Sequence, residues 1–316
     1  MGEFTRIAYY FHGLYHVYPP DSNRRIGRFF KPNPLLSPLK QSVRAMIDYH
    51  IHTLLCNHAE GGMESCIQRA VEMGLEEICF LEHLSFDPAI RSHAMDIHEV
   101  PFYFFSLQRL KQKYEEKISI LAGLEIDFSQ PFASAIEELT HLFDFDLIAG
   151  SVHFVDGINI ASRRHAAQMD DKTFEKLSVR YASDILALVQ SELFDVACHL
   201  DVITKNGRSL PSEAKALLKE AISNMGQTGM ALEVNAGGLH HPIAACYPCT
   251  ELIDHALACK TPLTTGSDAH RPMHVGRGIP QVLDLIQSLG GTQITRFKKR
   301  KGRPMVIPQA PGVQTP

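Results

Sequence analysis

His50-Ile-His52 and Asp268-Ala-His270 are two couples with the same spacing near opposite ends of the chain. In an extended segment residues i and i+2 project from one face, so each couple can offer two ligands to a single ion. Between them stand His58, His83, Glu125, His153 and His199, each at or near the end of an apolar run. Seven imidazoles and two carboxylates suit Zn²⁺, Mn²⁺ or Fe, and not Ca²⁺ or Mg²⁺, which prefer oxygen shells. A catalytic ion usually takes three protein ligands and keeps an open position, so this set suggests three divalent ions, with Glu125 able to bridge two. Such ions lower the pKa of bound water from about 15.7 to about 7 and neutralise phosphoryl oxygens during in-line displacement. A single histidine is explained as well by a hydrogen-bonded core position. Seven at one mouth would leave rings without partners, at about 1–3 kcal/mol each.

The elements that must carry these residues are legible from periodicity. Short apolar runs at 46–52, 76–83, 118–127, 145–153, 195–202, 230–236 and 261–270 read as strands buried on both faces, and all but one end on a candidate ligand. Helical spacing recurs at Met63–Met73, Phe174–Leu193 and Pro211–Met225, and after Pro280, where Gly290-Gly291 closes the helix. Strands alternating with helices over most of the chain predict a parallel α/β barrel, one unit short of the usual eight. In such barrels the chemistry gathers at the carboxyl ends of the strands, where these ligands fall.

Composition narrows the class. The 316 residues are 45% hydrophobic and 21% charged, the balance of a globular protein with a sizeable core. A formal charge of −4 gives no polybasic footprint, which argues against nucleic acid or a membrane surface as partner. No apolar run approaches the roughly 18–20 residues of a membrane span. The seven cysteines are odd in number and several sit inside predicted elements, as reduced thiols in a cytoplasmic protein do. Cys246 and Cys249 have CxxC spacing without a second pair and read as a loop entering a helix. Residues 1–45 hold seven basic and two acidic side chains, a net of +5, with five prolines. They are expected to be a poorly ordered extension ahead of a catalytic domain over 46–308, with a flexible tail at 309–316. No Gly-rich phosphate loop or Ser-His-Asp signature offers a rival chemistry.

Six segments carry a family resemblance: YHIHTLLCNHAEG (49–61), FLEH (80–83), GLEIDF (123–128), GSVHFVDG (150–157), CHLDVITKNG (198–207) and GSDAHRPMHVGRG (266–278). Together they resemble the PHP phosphoesterases, and most closely the subgroup acting on histidinol phosphate. The resemblance implies a distorted (β/α)₇ TIM-like barrel with a trinuclear site. His50, His52, Glu125 and Asp268 would hold one ion, and Glu125 and His153 a second. His58 and His270 would hold the third, with His83 and His199 completing the sets in an order left open. The implied reaction is hydrolysis of L-histidinol phosphate to L-histidinol and phosphate by a metal-bridging hydroxide.

One departure stands out. Where the subgroup carries a basic pair in a GLRKP-like turn, this chain reads Gly238-Leu239-His240-His241-Pro242. Phosphate anchoring then falls to another base, with Arg163, Arg164, Lys205, Arg208 and Arg271 as candidates, or the substrate is another small phosphate ester. His240 is a candidate general acid for the leaving alkoxide, because an imidazole titrates near neutrality. A metal-binding module without turnover is the remaining alternative.

Overall fold

The computed structural model describes residues 46–307. The basic segment 1–45 and the tail 309–316 lie outside the described residues.

Seven parallel strands form one sheet in the order β1 (Ile47–Ile51), β2 (Glu77–Leu84), β3 (Ser119–Asp127), β4 (Leu147–Ser151), β7 (Val196–Ala197), β8 (Ala231–Asn235) and β9 (Leu263–Gly266). Two antiparallel hairpins, absent from the expected set, add β5 (Phe154–Val155) with β6 (Ile158–Asn159), and β10 (Gln293–Lys298) with β11 (Lys301–Val306). β1, β4, β8 and β9 are buried along their whole length, which explains why they read as apolar runs without alternation. The helices are α1 (Met63–Glu72), α2 (Val100–Tyr114), α3 (Ala133–Thr140), α4 (Arg163–Gln168), α5 (Asp171–Gln190), α6 (Ser212–Thr228), α7 (Thr250–Ala258) and α8 (Ile279–Ser288). No helix among the described residues is long and apolar enough to cross a membrane.

The sheet closes on itself beyond the end of β9. Ala269 N donates to His50 O at 3.1 Å and His52 N donates to Ala269 O at 2.9 Å. Thr265 Oγ1 donates to Ile47 O at 2.9 Å on the same seam. This closure gives the expected distorted seven-unit barrel and lays Asp268-Ala269-His270 directly beside His50-Ile51-His52. The two couples that were distant in sequence become one face.

At the amino end of the barrel Glu77 joins three strands to the last hairpin. Its carboxylate accepts from the Tyr49 hydroxyl, from Ser119 Oγ at 2.7 Å and from Arg296 Nε at 3.0 Å. Tyr49 Oη in turn accepts from Phe297 N at 3.2 Å and is buried. Replacing Tyr49 with Phe removes both interactions and leaves a buried N–H unpaired. We expect the variant to lose about 1–2 kcal/mol of unfolding free energy in urea titration, with metal content of the folded protein unchanged. Unaltered stability would show that Glu77 holds this end of the barrel without the hydroxyl.

Candidate metal centre

The structure brings all nine candidate ligands to the carboxyl mouth of the barrel. His50 lies in β1, with His52 one residue past its end; His83 lies in β2 and Glu125 in β3. His153, His199, Asp268 and His270 follow β4, β7 and β9, in loops where the sequence reading had extended the strands. His58 comes from the turn after β1. Two of these loop residues hold backbone that side-chain-bearing residues seldom adopt, with φ 23° at His199 and φ 55° at Asp268. Such strain persists where surrounding structure fixes it, here in the service of aiming an imidazole and a carboxylate inward.

Glu125, with no exposed surface, is the hub. Its Oε1 lies 2.8 Å from His199 Nε2 and 3.7 Å from His153 Nε2. Its Oε2 lies 2.9 Å from His83 Nδ1, 3.2 Å from His50 Nε2 and 3.6 Å from His52 Nε2. Burial alone would raise this carboxyl, but the imidazoles of His83, His50 and His153 outweigh it and hold the group well below the carboxylate range. Asp268 Oδ1 sits 3.2 Å from His52 Nε2 and 3.8 Å from His50 Nε2.

Ligand atoms of His50, His52 and Asp268 lie within 4.8 Å of one another, as do those of His50, Glu125 and His199, and those of His58, His83 and His270. Two observations fit these groups to cations. Both ring nitrogens of His52 are buried without a hydrogen-bond partner, and burial pushes its pKa down to about 3. That leaves a neutral ring with a lone pair to give. Likewise His58 Nδ1 donates to Cys56 O at 2.8 Å and His270 Nδ1 to Asp268 O at 3.0 Å. Each Nε2 is then a lone pair, and the two face one another at 2.9 Å. Opposed lone pairs at that distance are relieved by a shared proton or by one ion that both rings ligate from the side of the cavity.

Sequence reasoning missed the carboxylates that orient the ligands. Glu233 Oε1 accepts from His50 Nδ1 at 2.6 Å, while its Oε2 accepts from His199 N at 2.9 Å and Asn235 Nδ2 at 3.0 Å. Asp127 accepts from the His153 backbone at 2.8 Å and from its Nδ1 at 3.1 Å. Asp48 accepts from Ser267 N and Gly276 N, both at 2.8 Å, and pins the loop carrying Asp268 to β1. Glu82 accepts from Thr53 N at 2.9 Å and His83 N at 3.0 Å. The available signal was parity: Asp48 shares a face with His50 and His52, two and four residues on. Nothing local to Glu233 gives it away. Its partners are more than thirty residues distant, apart from Asn235.

A cavity of about 220 Å³ opens above this floor, lined among others by His58, His83, His153, His199, Asp268 and Lys205. Of the basic candidates, Lys205 alone lines it. Arg163 is exposed on α4, near enough to interact electrostatically with Lys205, and Arg164 beside it is exposed too. Arg208 donates to Asp170 O at 3.2 Å and packs on the Phe174 ring, and Arg271 pairs with Glu60 at 2.7 Å. His240 is exposed beside Arg277 and His274, and neither it nor His241 lines the cavity. His241 is the half-buried member of that pair and lies in the field of Lys205 and Asp268. All seven cysteines are free thiols, and burial pushes Cys246 up to about 12, the behaviour of a structural thiol.

A parallel barrel whose carboxyl mouth packs imidazoles around a buried carboxylate defines a metal-dependent hydrolase. The chain belongs to the PHP domain family, whose model matches residues 48–237. It is 30% identical to a probable histidinol-phosphatase of Deinococcus radiodurans over 82% of this chain and 99% of that one. It is 26% identical to the histidinol-phosphatase of Lactococcus lactis over 81% of this chain and 95% of that one. The crystal structure of the histidinol phosphate phosphatase from Lactococcus lactis, complexed with zinc, L-histidinol and phosphate, superposes with a TM-score of 0.70 at 25% identity. That match covers 82% of this chain and 98% of the other.

Glu233 supplies a test of the orienting shell. Replacing it with Gln weakens the acceptor for His50, and we expect metal affinity to fall by about 10–100-fold in chelator competition. Gly266→Ala should do the same, because a Cβ there would meet Glu233 Oε1 at 2.1 Å and His50 Cβ at 2.5 Å. Native affinity in both variants would remove Glu233 from the site.

Proposed function

We propose that this chain is a cytoplasmic phosphomonoesterase that hydrolyses L-histidinol phosphate to L-histidinol and phosphate, late in histidine biosynthesis. The observation that carries the chemistry is the buried Glu125 ringed by imidazoles beneath an open cavity. Relatives named as histidinol-phosphatases, aligned along most of both chains, support the substrate. On this reading three divalent ions (zinc, manganese or iron) are held by His50, His52, Glu125 and Asp268; by Glu125, His153 and His199; and by His58, His83 and His270. This reading puts His83 with His58 and His270, and His199 with Glu125, because the ligand atoms within each group lie within 4.8 Å of one another.

When bound, the ions supply a hydroxide nucleophile at neutral pH and neutralise charge on the phosphoryl oxygens. The chain's own residues do the rest. Asp127 fixes His153 in one tautomer, and Glu233 does so for His50. Lys205, half-buried at the cavity wall, offers its ammonium to the phosphate; burial lowers its pKa, and the nearby Asp268 opposes that shift. His241 takes the place of the family's basic pair as a neutral donor. Burial and Lys205 push its pKa down to about 4, and its Nδ1 lies 3.0 Å from the Tyr247 hydroxyl. Burial raises Tyr247 above its usual range, so that phenol keeps its proton and donates to Nδ1, which leaves Nε2–H as the donor His241 can offer on the side of Lys205.

Glu125→Gln should abolish phosphate release and lower metal content; full activity with full loading would remove Glu125 from the bridging role. Lys205→Ala should lower kcat/KM about 10–100-fold, the worth of a charge-assisted hydrogen bond, with metal content retained. The deciding experiment is kcat/KM for L-histidinol phosphate against sugar, nucleotide and amino-alcohol phosphates. A preference of about 10³ or more upholds the proposed substrate. A better substrate elsewhere in the panel would assign Gly238–Pro242 to a different specificity and leave only the phosphatase chemistry.

A further inference from the structure

We propose that His93 and Phe154, packed edge to face, form an L-shaped clamp that holds a planar ring on the leaving alcohol against one face and one edge, and that this clamp sets substrate preference. The proposal rests on the phosphatase reading above and adds the part of the site that grips what the phosphate is attached to. Nothing in the sequence pattern singled out either residue.

The cavity has a polar floor and a different upper wall. The floor holds the metal-ligating side chains and Lys205. The upper wall comes from two loops that meet above it, one following β2 and the other the β5–β6 hairpin. Phe154 is half-buried in β5, and His93 is exposed in the loop after β2. Their rings meet edge to face, with centroids 5.8 Å apart and planes at 64°. The His93 ring also stands 6.4 Å from that of His58, which places the clamp one ring's breadth from the proposed third ion group. Ile90, Ala94 and Ala161 add apolar surface beside the hydroxyls of Ser85 and Ser162, and neither loop contributes a carboxylate or a lysine or arginine to the cavity lining.

That surface selects by chemistry. A phosphorylated sugar would find only Ser85, Ser162 and Asn159 to meet its several hydroxyls there and would leave others facing the aromatic and apolar groups. A planar ring instead finds one aromatic edge, one aromatic face and apolar packing. Asn159 supplies one directional group. Its Oδ1 is spent on the Ala161 N–H at 3.0 Å, so the side-chain amide offers a donor suited to a ring nitrogen. An imidazole is planar and carries such an acceptor. Because clamp and floor are separate, one wall chooses the alcohol while the other performs hydrolysis.

The test compares kcat/KM for L-histidinol phosphate with that for 2-aminoethyl phosphate, which shares the amino-alcohol ester but lacks the ring. Wild-type protein is set beside Phe154→Ala, His93→Ala and His93→Phe. The ratio between the two substrates should fall about tenfold or more in both alanine variants, and His93→Phe should retain most of it. An unchanged ratio in the alanine variants overturns the clamp. So does a His93→Phe variant as impaired as His93→Ala, since that would assign His93 a proton or hydrogen-bonding role. Benzyl phosphate and propyl phosphate separate this from the substrate reading. If wild-type protein prefers the benzyl ester, loses that preference in Phe154→Ala, and is indifferent to histidinol phosphate, the clamp stands and the proposed substrate falls.

Discussion

Everything at the carboxyl mouth follows from burying one carboxylate. Glu125 has no exposed surface, and removing a charge from water costs several kcal/mol unless partners replace the solvent. Its partners are five imidazoles delivered by four different strands or strand ends, so the charge is compensated only if the barrel closes with the right register. His83 and Glu125 are Cα partners across β2 and β3, which fixes one contact directly. His50 and His52 come from β1 and its end, and the other two depend on loops leaving β4 and β7 at set angles, one of them held by left-handed backbone at His199. Electrostatics at the mouth and topology of the sheet are thus one constraint seen twice.

The seam between β9 and β1 shows how local pattern and global closure combine. Each couple, His-x-His or Asp-x-His, needs only extended backbone to put two ligands on a face. Making the two faces one requires Ala269 to hydrogen-bond to both His50 and His52. Asp48 reinforces the same seam from beneath by accepting from Ser267 and Gly276. A buried carboxylate that spends its oxygens on backbone N–H groups is stabilised without a counter-charge, and it fixes the loop that carries Asp268.

The sequence carried the strands and the ligands because both are written in short-range pattern. Apolar runs mark buried parallel strands, and titratable residues at their ends mark the mouth. It overran the strand ends, since DVACHLDV reads as one apolar run whereas β7 is two residues long and His199 already belongs to a loop. The hairpins at 154–159 and 293–306 escaped because they are short or highly charged and lack the apolar runs that marked the barrel. The orienting carboxylates escaped for a different reason. Glu233 and His50 are 183 residues apart, and no spacing rule links them. The pair His240-His241 was visible as a departure, but that His241 is the half-buried member, held beside the Tyr247 hydroxyl, is a tertiary fact.

The layering of the site explains why such barrels can share a reaction and differ in substrate. Ligands sit on strands or immediately beyond them, where closure leaves little freedom, and their supporting carboxylates are buried. The residues above them, His93 in one loop and Phe154 in a short hairpin, are exposed or half-buried and pack on few neighbours, so substituting them disturbs neither closure nor charge compensation. Substrate preference can therefore drift while hydrolysis persists. The replacement of a cationic pair by His240 and His241 fits the same logic. On the proposed reading, with a lysine already in the wall and divalent cations bound at the floor, further positive charge would add little to phosphate binding, and a neutral donor fixed by Tyr247 would add direction instead. Direction is what a ring-bearing alcohol needs, because its clamp works only if the ester is held at one angle to the floor.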